Sequence, residues 1–412
     1  MKILHLVTYA NHGGAGIAAR RLHETLLASG VESQILCADL CDETIIQINP
    51  FRKYGSFPTK LYNYLRSINT ITALKQKICK SIQYSYNGRN NFALVRAIEV
   101  SNPDVIHLHW INDGFLNLNQ LAKFNKPIVW SCHDMWAFTG GCHYNGNCPK
   151  WKTGCYDCHL ISDITSSDVS HKQFVIKKES ICAIAKLHMV GLSTWMYNSI
   201  KESLICQGVP VSYIPNTIDK DTFSIVSKVK ARKELGIDNA NPLVLFGAMN
   251  LTDERKGLKY LIDALSIIEK EMNLNVIAVG NITDHSALLL PNLNIRLWGK
   301  AANKEELCQL YSAANVVVLP SIQENLSNMV IESLLCGTPV AGFNIGGNSD
   351  MIHHKDNGFL SDSISGEGLA KAISWILDNH INPVHCRETI LEKFNNDITL
   401  NKYLMLYKNM IC

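Results

Sequence analysis

Several absences narrow the possibilities before any motif is considered. No apolar run in the 412 residues approaches the roughly 18–20 needed to span a bilayer. The opening MKILHLVTY is too short and turns polar too soon for a secretory leader; it reads as a first buried strand, and the chain is expected in the cytoplasm. Excess charge of one sign is missing too. Thirty-nine Lys and Arg face 36 Asp and Glu, a formal +3, so nothing global calls for nucleic acid or an acidic partner. Internal repeats and low-complexity tracts are absent.

One stretch lacks acids altogether. Between Glu43 and Glu99 no Asp or Glu occurs, while Arg52, Lys53, Lys60, Arg66, Lys75, Lys77, Lys80, Arg89 and Arg96 interleave with residues such as Tyr62, Leu65 and Ile78. A basic amphipathic segment of this kind, 52–96, suits an anionic membrane surface, each cation contributing on the order of 1 kcal/mol. It suits equally an acidic glycan, or a solvated helix lying over a sheet.

The length exceeds one ordinary core and fits two domains of about 200 residues each. In the first half KILHLVTY, ESQILCADL, PDVIHLHW, PIVWSCHD, HMVGLST and VSYIPN read as strands, with a helix from Ile17 to Ser29. The second half repeats the pattern with PLVLFGA, LNVIAVG, IRLWG, NVVVLP and PVAGF, and with helices over Gly257–Met272 and Lys304–Ala314. Strands alternating with helices imply two doubly wound parallel sheets in succession. The boundary is placed near Pro215–Lys220, giving Rossmann-like domains over 1–215 and 216–395 and a final amphipathic helix within 396–412.

The densest information lies in VVLPSIQENLSNMVIESLLCGTPVAGFNIGG, from Val317 to Gly347. A strand runs into a turn carrying Glu324, and a helix opening around Asn325–Asn328 carries Glu332. Its first N–H groups and positive dipole end point at whatever lies beyond the strand ends, a site suited to phosphate. With eight residues between them, the two carboxylates are expected about two helical turns apart, one at the mouth and one deeper.

These residues resemble the signature of family four glycosyltransferases. The resemblance implies the GT-B fold, two Rossmann-like domains facing each other across a cleft, with the final helix packing back on the first domain. It implies a retaining, hexosyltransferase-type transfer from a nucleotide-sugar donor (UDP- or GDP-linked), with Glu324 facing the donor sugar and Glu332 holding the ribose. Asn325, Leu326, Ser327 and Asn328 replace the family's usual Gly-Phe-Gly after the first Glu, the run that the resemblance sets against phosphate. No catalytic cofactor is implied, and the sequence offers no convincing Asp-x-Asp pair for Mg²⁺.

Arg255 and Lys256 stand just before Gly257 and a helix. Two cations at a helix start oppose its dipole, which favours a task, and a diphosphate suits them; the resemblance assigns them that role. Gly13 and Gly14 follow the first strand and allow close backbone approach to phosphate. The run is not G-x-G-x-x-G, which counts against a dinucleotide site although Asp39 falls about where a ribose-binding acid would. The resemblance puts Gly13 and Gly14 against the donor diphosphate, Asn216 of PNTID at the hinge or donor, and His133 in the active site. His133 ends the strand PIVWSC, poised to bond a sugar hydroxyl or a phosphate. His107 and His109 share one face of the preceding strand and read as packed histidines.

Of 14 cysteines, four cluster in the loop 140–160, at Cys142, Cys148, Cys155 and Cys158. Together they can hold one structural zinc, with His143 and His159 as spare ligands, although the first pair is spaced too widely for a usual knuckle. Plain thiols or disulfides are the alternative. The chain therefore reads as a glycosyltransferase acting on a glycan or lipid-linked acceptor in surface polysaccharide assembly, at the inner face of the membrane. Two alternatives stay open: a GT-B epimerase or phosphorylase, and a non-catalytic zinc-containing module that binds glycan or membrane.

Overall fold

The computed structural model describes residues 1–39, 42–48, 84–88, 90–161, 168–238, 240–281 and 295–412. They form two compact units, Met1–Thr217 with Asn396–Cys412, and Ile218–Asn395. Most of the basic stretch 52–96 lies outside the described residues.

In the first unit the strands are β1 (Lys2–Leu6), β2 (Glu32–Cys37), β3 (Ile45–Gln47), β4 (Val105–Leu108), β5 (Ile128–Cys132), β6 (Leu187–Gly191) and β7 (Val211–Tyr213). They pair in parallel in the order β3-β2-β1-β4-β5-β6-β7. Helices cover both faces of such a sheet, so its central strands are apolar throughout rather than alternating. β4 and β5 are buried along their whole length, and the core between sheet and helices includes Leu4, Leu108, Trp130, Phe138 and Met189. The last helix, Asn396–Ile411, belongs to this unit. It buries Tyr403 and Tyr407, whose hydroxyls meet Ser131 Oγ at 2.9 Å and His107 Nδ1 at 2.7 Å.

The second unit has β8 (Leu243–Asn250), β9 (Asn275–Asn281), β10 (Ile295–Gly299), β11 (Val316–Leu319), β12 (Val340–Phe343) and β13 (Gly358–Ser361). These are parallel in the order β10-β9-β8-β11-β12-β13. Helix Leu258–Ile268 docks through Leu261, Ala264, Leu265 and Ile268, the i, i+3, i+4, i+7 stripe of an amphipathic helix. Each buried leucine there contributes about 1.5–3 kcal/mol.

In both sheets the strand order reverses once, between β1 and β4 and between β8 and β11. The turns leaving those neighbouring strands diverge to opposite faces, and a crevice opens at the carboxyl ends. Helix limits shift slightly from the sequence expectation: the first runs Gly14–Ala28, and the second-unit helix starts at Leu258 and stops at Ile268.

Candidate active site

The crevice of the second unit is built by the turns after β8 and β11. After β8 the chain makes one tight turn, Glu254–Lys256, capped by Asp253, whose side chain accepts from Arg255 N at 3.0 Å. Gly257 ends the turn at φ 69°, and a Cβ there would lie 1.9 Å from the Pro320 carbonyl oxygen. Only glycine lets this turn rest on the end of β11. Ile322 N donates to Arg255 O at 2.9 Å and Arg255 Nη1 to Gln323 O at 3.2 Å, lacing the two turns together.

Arg255 and Lys256 thereby converge on Glu324. Lys256 Nζ lies 2.7 Å and Arg255 Nη1 3.9 Å from Glu324 Oε2, while Arg255 Nη2 pairs with Asp253 at 3.2 Å. Behind Glu324, Gly346 adopts φ 52°, and a Cβ there would come within 1.9 Å of the Glu324 carbonyl oxygen. Gly347 N donates to the same carbonyl at 3.3 Å. Burial alone would raise the Glu324 carboxyl. The charges of Lys256 and Arg255, with hydrogen bonds from Lys256 and the Asn325 N–H, outweigh it and hold Glu324 below its ordinary value.

The helix after β11 is short, Asn328–Leu335. Glu324 therefore sits in the turn ahead of the helix, as the spacing suggested, and Glu332 is in the second turn of the helix. Leu326 and Ser327 are buried, and the Ser327 side chain makes no cap bond, so it does not compete for the first-turn N–H groups. Glu332 is buried as well, and Tyr311 OH donates to its Oε2 at 3.3 Å.

In the first unit the turn after β1 leads through Gly13, the N-cap of helix Gly14–Ala28, which has no side-chain cap bond. Asp39, at the end of β2, accepts from Ala10 N at 2.8 Å and Asn11 N at 3.1 Å and meets His12 Nδ1 at 3.2 Å. Its position suggested a ribose ligand; its oxygens instead brace the glycine turn.

His133 follows β5 and is half-buried. Its Nε2 meets His109 Nδ1 at 3.0 Å, and His109 Nε2 meets His5 Nδ1 at 3.0 Å. Burial pulls His133 down to about 4 against the upward pull of Asp134, and drives His109 and His5 well below their ordinary value, so all three imidazoles are neutral near pH 7. Among the described residues, buried His5 Nε2 has no hydrogen-bond partner. An orphaned lone pair costs less than an orphaned N–H. The His5 proton then belongs on Nδ1, His109 donates from Nδ1 to His133 Nε2, and His133 carries its own proton on Nδ1. Sequence reading took His107 and His109 as mere packing partners; they do stack, with ring centroids 4.3 Å apart, but His109 also orients His133. His5, His107 and His109 offer ligand nitrogens within 4.8 Å of one another. Both His107 nitrogens are engaged, by Tyr407 and by Ser131 Oγ at 2.8 Å, and His5 and His109 share a hydrogen bond, so these nitrogens are spent on hydrogen bonds rather than offered to a metal.

A further group escaped the sequence reading. Asp134 pairs with His143 Nδ1 and accepts from Trp110 Nε1 at 2.9 Å. His143 Nε2 meets Ser85 Oγ at 2.9 Å, which removes His143 from the spare metal ligands. Burial works against the Asp134 carboxylate, yet the charge and hydrogen bond of His143 prevail and hold it low. The His133-Asp134 step at a strand end was the available signal.

Cys142, Cys148, Cys155 and Cys158 are all unpaired and line one small cavity with Trp151 and the exposed His159. Asn216 is buried three residues beyond β7, at the edge of the first unit. Among the described residues no helix is long and apolar enough to cross a membrane.

Comparison with known proteins bears on the family and the fold. The family model described as "Glycosyltransferase Family 4" matches residues 12–154, and that described as "Glycosyl transferases group 1" matches 241–379. WcaC of Escherichia coli (strain K12), named as a colanic acid biosynthesis glycosyl transferase, is 22% identical over 366 residues, 82% of each chain. Among solved structures, sucrose-phosphate synthase from Thermosynechococcus elongatus superposes with a TM-score of 0.70 at 18% identity, over 100% of this chain and 99% of that one. The Anabaena HepE structure in complex with UDP and glucose gives 0.64 at 17% identity, over 99% of each. With one Rossmann-like sheet in each unit the chain has the GT-B fold, and it belongs to the family four glycosyltransferases.

Proposed function

We propose that the second unit binds the nucleotide diphosphate of a sugar donor and that the sugar passes, with retention, to a hydroxyl of a glycan or lipid-linked acceptor. The observation carrying this reading is the convergence of Lys256 and Arg255 on buried Glu324. A diphosphate offers both cations several oxygens; Arg255 grips two at once and Lys256 acts as a point charge. As the phosphates take over the cations, Glu324 turns to the hydroxyls of the donor sugar. Glu332, steadied by Tyr311, accepts from the ribose hydroxyls. The N–H groups after Ser327 and the two cations then stabilise charge growing on the departing phosphate, which is usually the largest catalytic contribution. A departing phosphate oxygen accepts the acceptor's proton, so no catalytic cofactor is required.

Within the first unit, Gly13, Gly14 and His133 are the candidate phosphate- and sugar-binding residues, and Asn216 is a further candidate at that unit's edge. With its proton on Nδ1, His133 donates to a sugar or phosphate oxygen. UDP is the first donor base to try, since HepE was captured with it. The name of the E. coli relative supports surface polysaccharide assembly as the pathway. A lipid-linked acceptor fits a peripheral position at the inner face of the membrane, held by the basic segment 52–96.

The test is donor turnover. Purified protein incubated with UDP- and GDP-sugars and a membrane extract should release free nucleoside diphosphate at a rate that rises with added extract. Release that ignores the acceptor, or interconversion of the donor alone, would shift the reading to an epimerase.

A further inference from the structure

The cysteine loop of the first unit carries chemistry that sugar transfer does not use. Cys142, Cys148, Cys155 and Cys158 line a cavity of about 20 Å³, room for one atom-sized occupant. Two backbone donors already aim at its sulfurs. Gly140 N donates to Cys155 Sγ at 3.1 Å, and Leu160 N to Cys158. Such N–H groups stabilise a sulfur that carries negative charge.

A second observation lies in helix Val169–Cys182. Lys177 is completely buried. Its Nζ donates to the Trp136 carbonyl and, at 3.0 Å, to the Thr139 carbonyl, and lies 3.8 Å from the Trp136 ring centroid. No carboxylate of the described residues comes within 4.0 Å of it. Carbonyls and a ring face soften a buried cation but do not neutralise it; burial pulls the Lys177 ammonium down to about 7, and an anion nearby is what would keep it charged. The charges that act on Lys177 to favour its ammonium are, in order, Cys142, Cys155 and the Asp134 carboxylate, which is already paired with His143.

We propose that the four cysteines bind one zinc ion as a closed tetrathiolate site and that Lys177 is its buried counter-cation. Four thiolates on Zn²⁺ leave a complex of charge −2, and the Lys177 ammonium halves it. Loading displaces the thiol protons to solvent. No three of the sulfurs stand within 4.8 Å of one another, so ligation draws the side chains inward across the cavity they line. A four-sulfur set with no open position makes the ion structural: it holds the loop 140–160 in shape and leaves no coordination place for substrate. His143, held by Asp134 and Ser85, stays outside the ligand set.

The full-length protein, purified under reducing conditions without chelator, should contain one zinc per chain by elemental analysis. Protein grown with cobalt should show thiolate-to-cobalt charge-transfer bands and the intense visible bands of a tetrahedral site. Cys148→Ser should lose the metal, and Lys177→Met should bind zinc about 10–100-fold more weakly, the usual effect of losing an outer partner of a metal site. Wild-type protein that stays free of zinc after metal supplementation, or whose cysteines are recovered as disulfides, would overturn the proposal. So would a cobalt spectrum lacking thiolate bands. None of these readouts depends on donor binding or transfer.

Discussion

Lys256 Nζ and Glu324 Oε2 stand 2.7 Å apart, joining the turn after β8 to the turn after β11 across the strand reversal of the second sheet. The carboxylate is buried and the ammonium partly exposed, so the pair is shaped to let the cation change partners while the acid stays in place. Lys256→Ala should lower kcat about 10²–10³-fold, the scale for losing one preorganised charge-stabilising group. It should also destabilise the fold by about 1–3 kcal/mol, since Glu324 is left with weaker compensation. Steady-state kinetics and urea unfolding read the two effects separately. An unchanged kcat in Lys256→Ala would remove the pair from the site.

Glu332 and Tyr311 should act on nucleotide binding. Tyr311→Phe deletes one hydrogen bond to a carboxylate, worth about 1.5–3 kcal/mol, so UDP affinity should fall at least tenfold by calorimetry. The turnover rate at saturating donor should change little.

Acid sensitivity should come from the histidine chain. His133 is pulled down to about 4 and His107 to about 3 in the fold, against an unfolded value of 6.5. A group whose folded value is depressed contributes stability present above the unfolded value and lost as pH falls toward the folded one. Stability should therefore hold above pH 6.5 and decline below it, with up to about 1.4 kcal/mol per pH unit from each buried histidine. Urea midpoints across pH 4 to 8 test this, and a flat profile through that range contradicts it. Glu324 adds loss of the same sign at lower pH, once its carboxyl protonates.

Gly346→Ala places a Cβ 1.9 Å from the Glu324 carbonyl oxygen on a backbone at φ 52°. The turn must move, at a cost of about 1–3 kcal/mol, and Glu324 moves with it. Transfer should drop in this variant even at temperatures where circular dichroism shows it folded. Gly30→Ala has the same sign of φ, 79°, but meets nothing within 4 Å, and should leave transfer intact.

Much of this was legible in the chain. The alternation of apolar strands with helices gave both sheets, Glu324, Arg255 and Lys256 stood out as charges in the turns after strands, and Glu332 stood out in the helix that follows. Other features were hidden because they depend on distant partners. Asp39 falls about where a ribose-binding acid would, and only folding shows that its oxygens hold Ala10 and Asn11 instead. His5, His109 and His133 lie on three separate strands or their ends, and only the parallel register makes them a chain. Lys177 in VSHKQFVIKKES resembles any surface lysine until its burial is known.

The most direct measurement of the central claim is a thermal-shift series of the wild-type protein with UDP, GDP, ADP, CMP and NAD, repeated in Lys256→Ala and Glu332→Ala. A ligand that binds only the folded state raises its melting temperature. The account predicts that one nucleoside diphosphate stabilises the wild type, that both substitutions weaken the shift, and that NAD does nothing. A shift with NAD alone, or a nucleoside diphosphate shift untouched by either substitution, would contradict it.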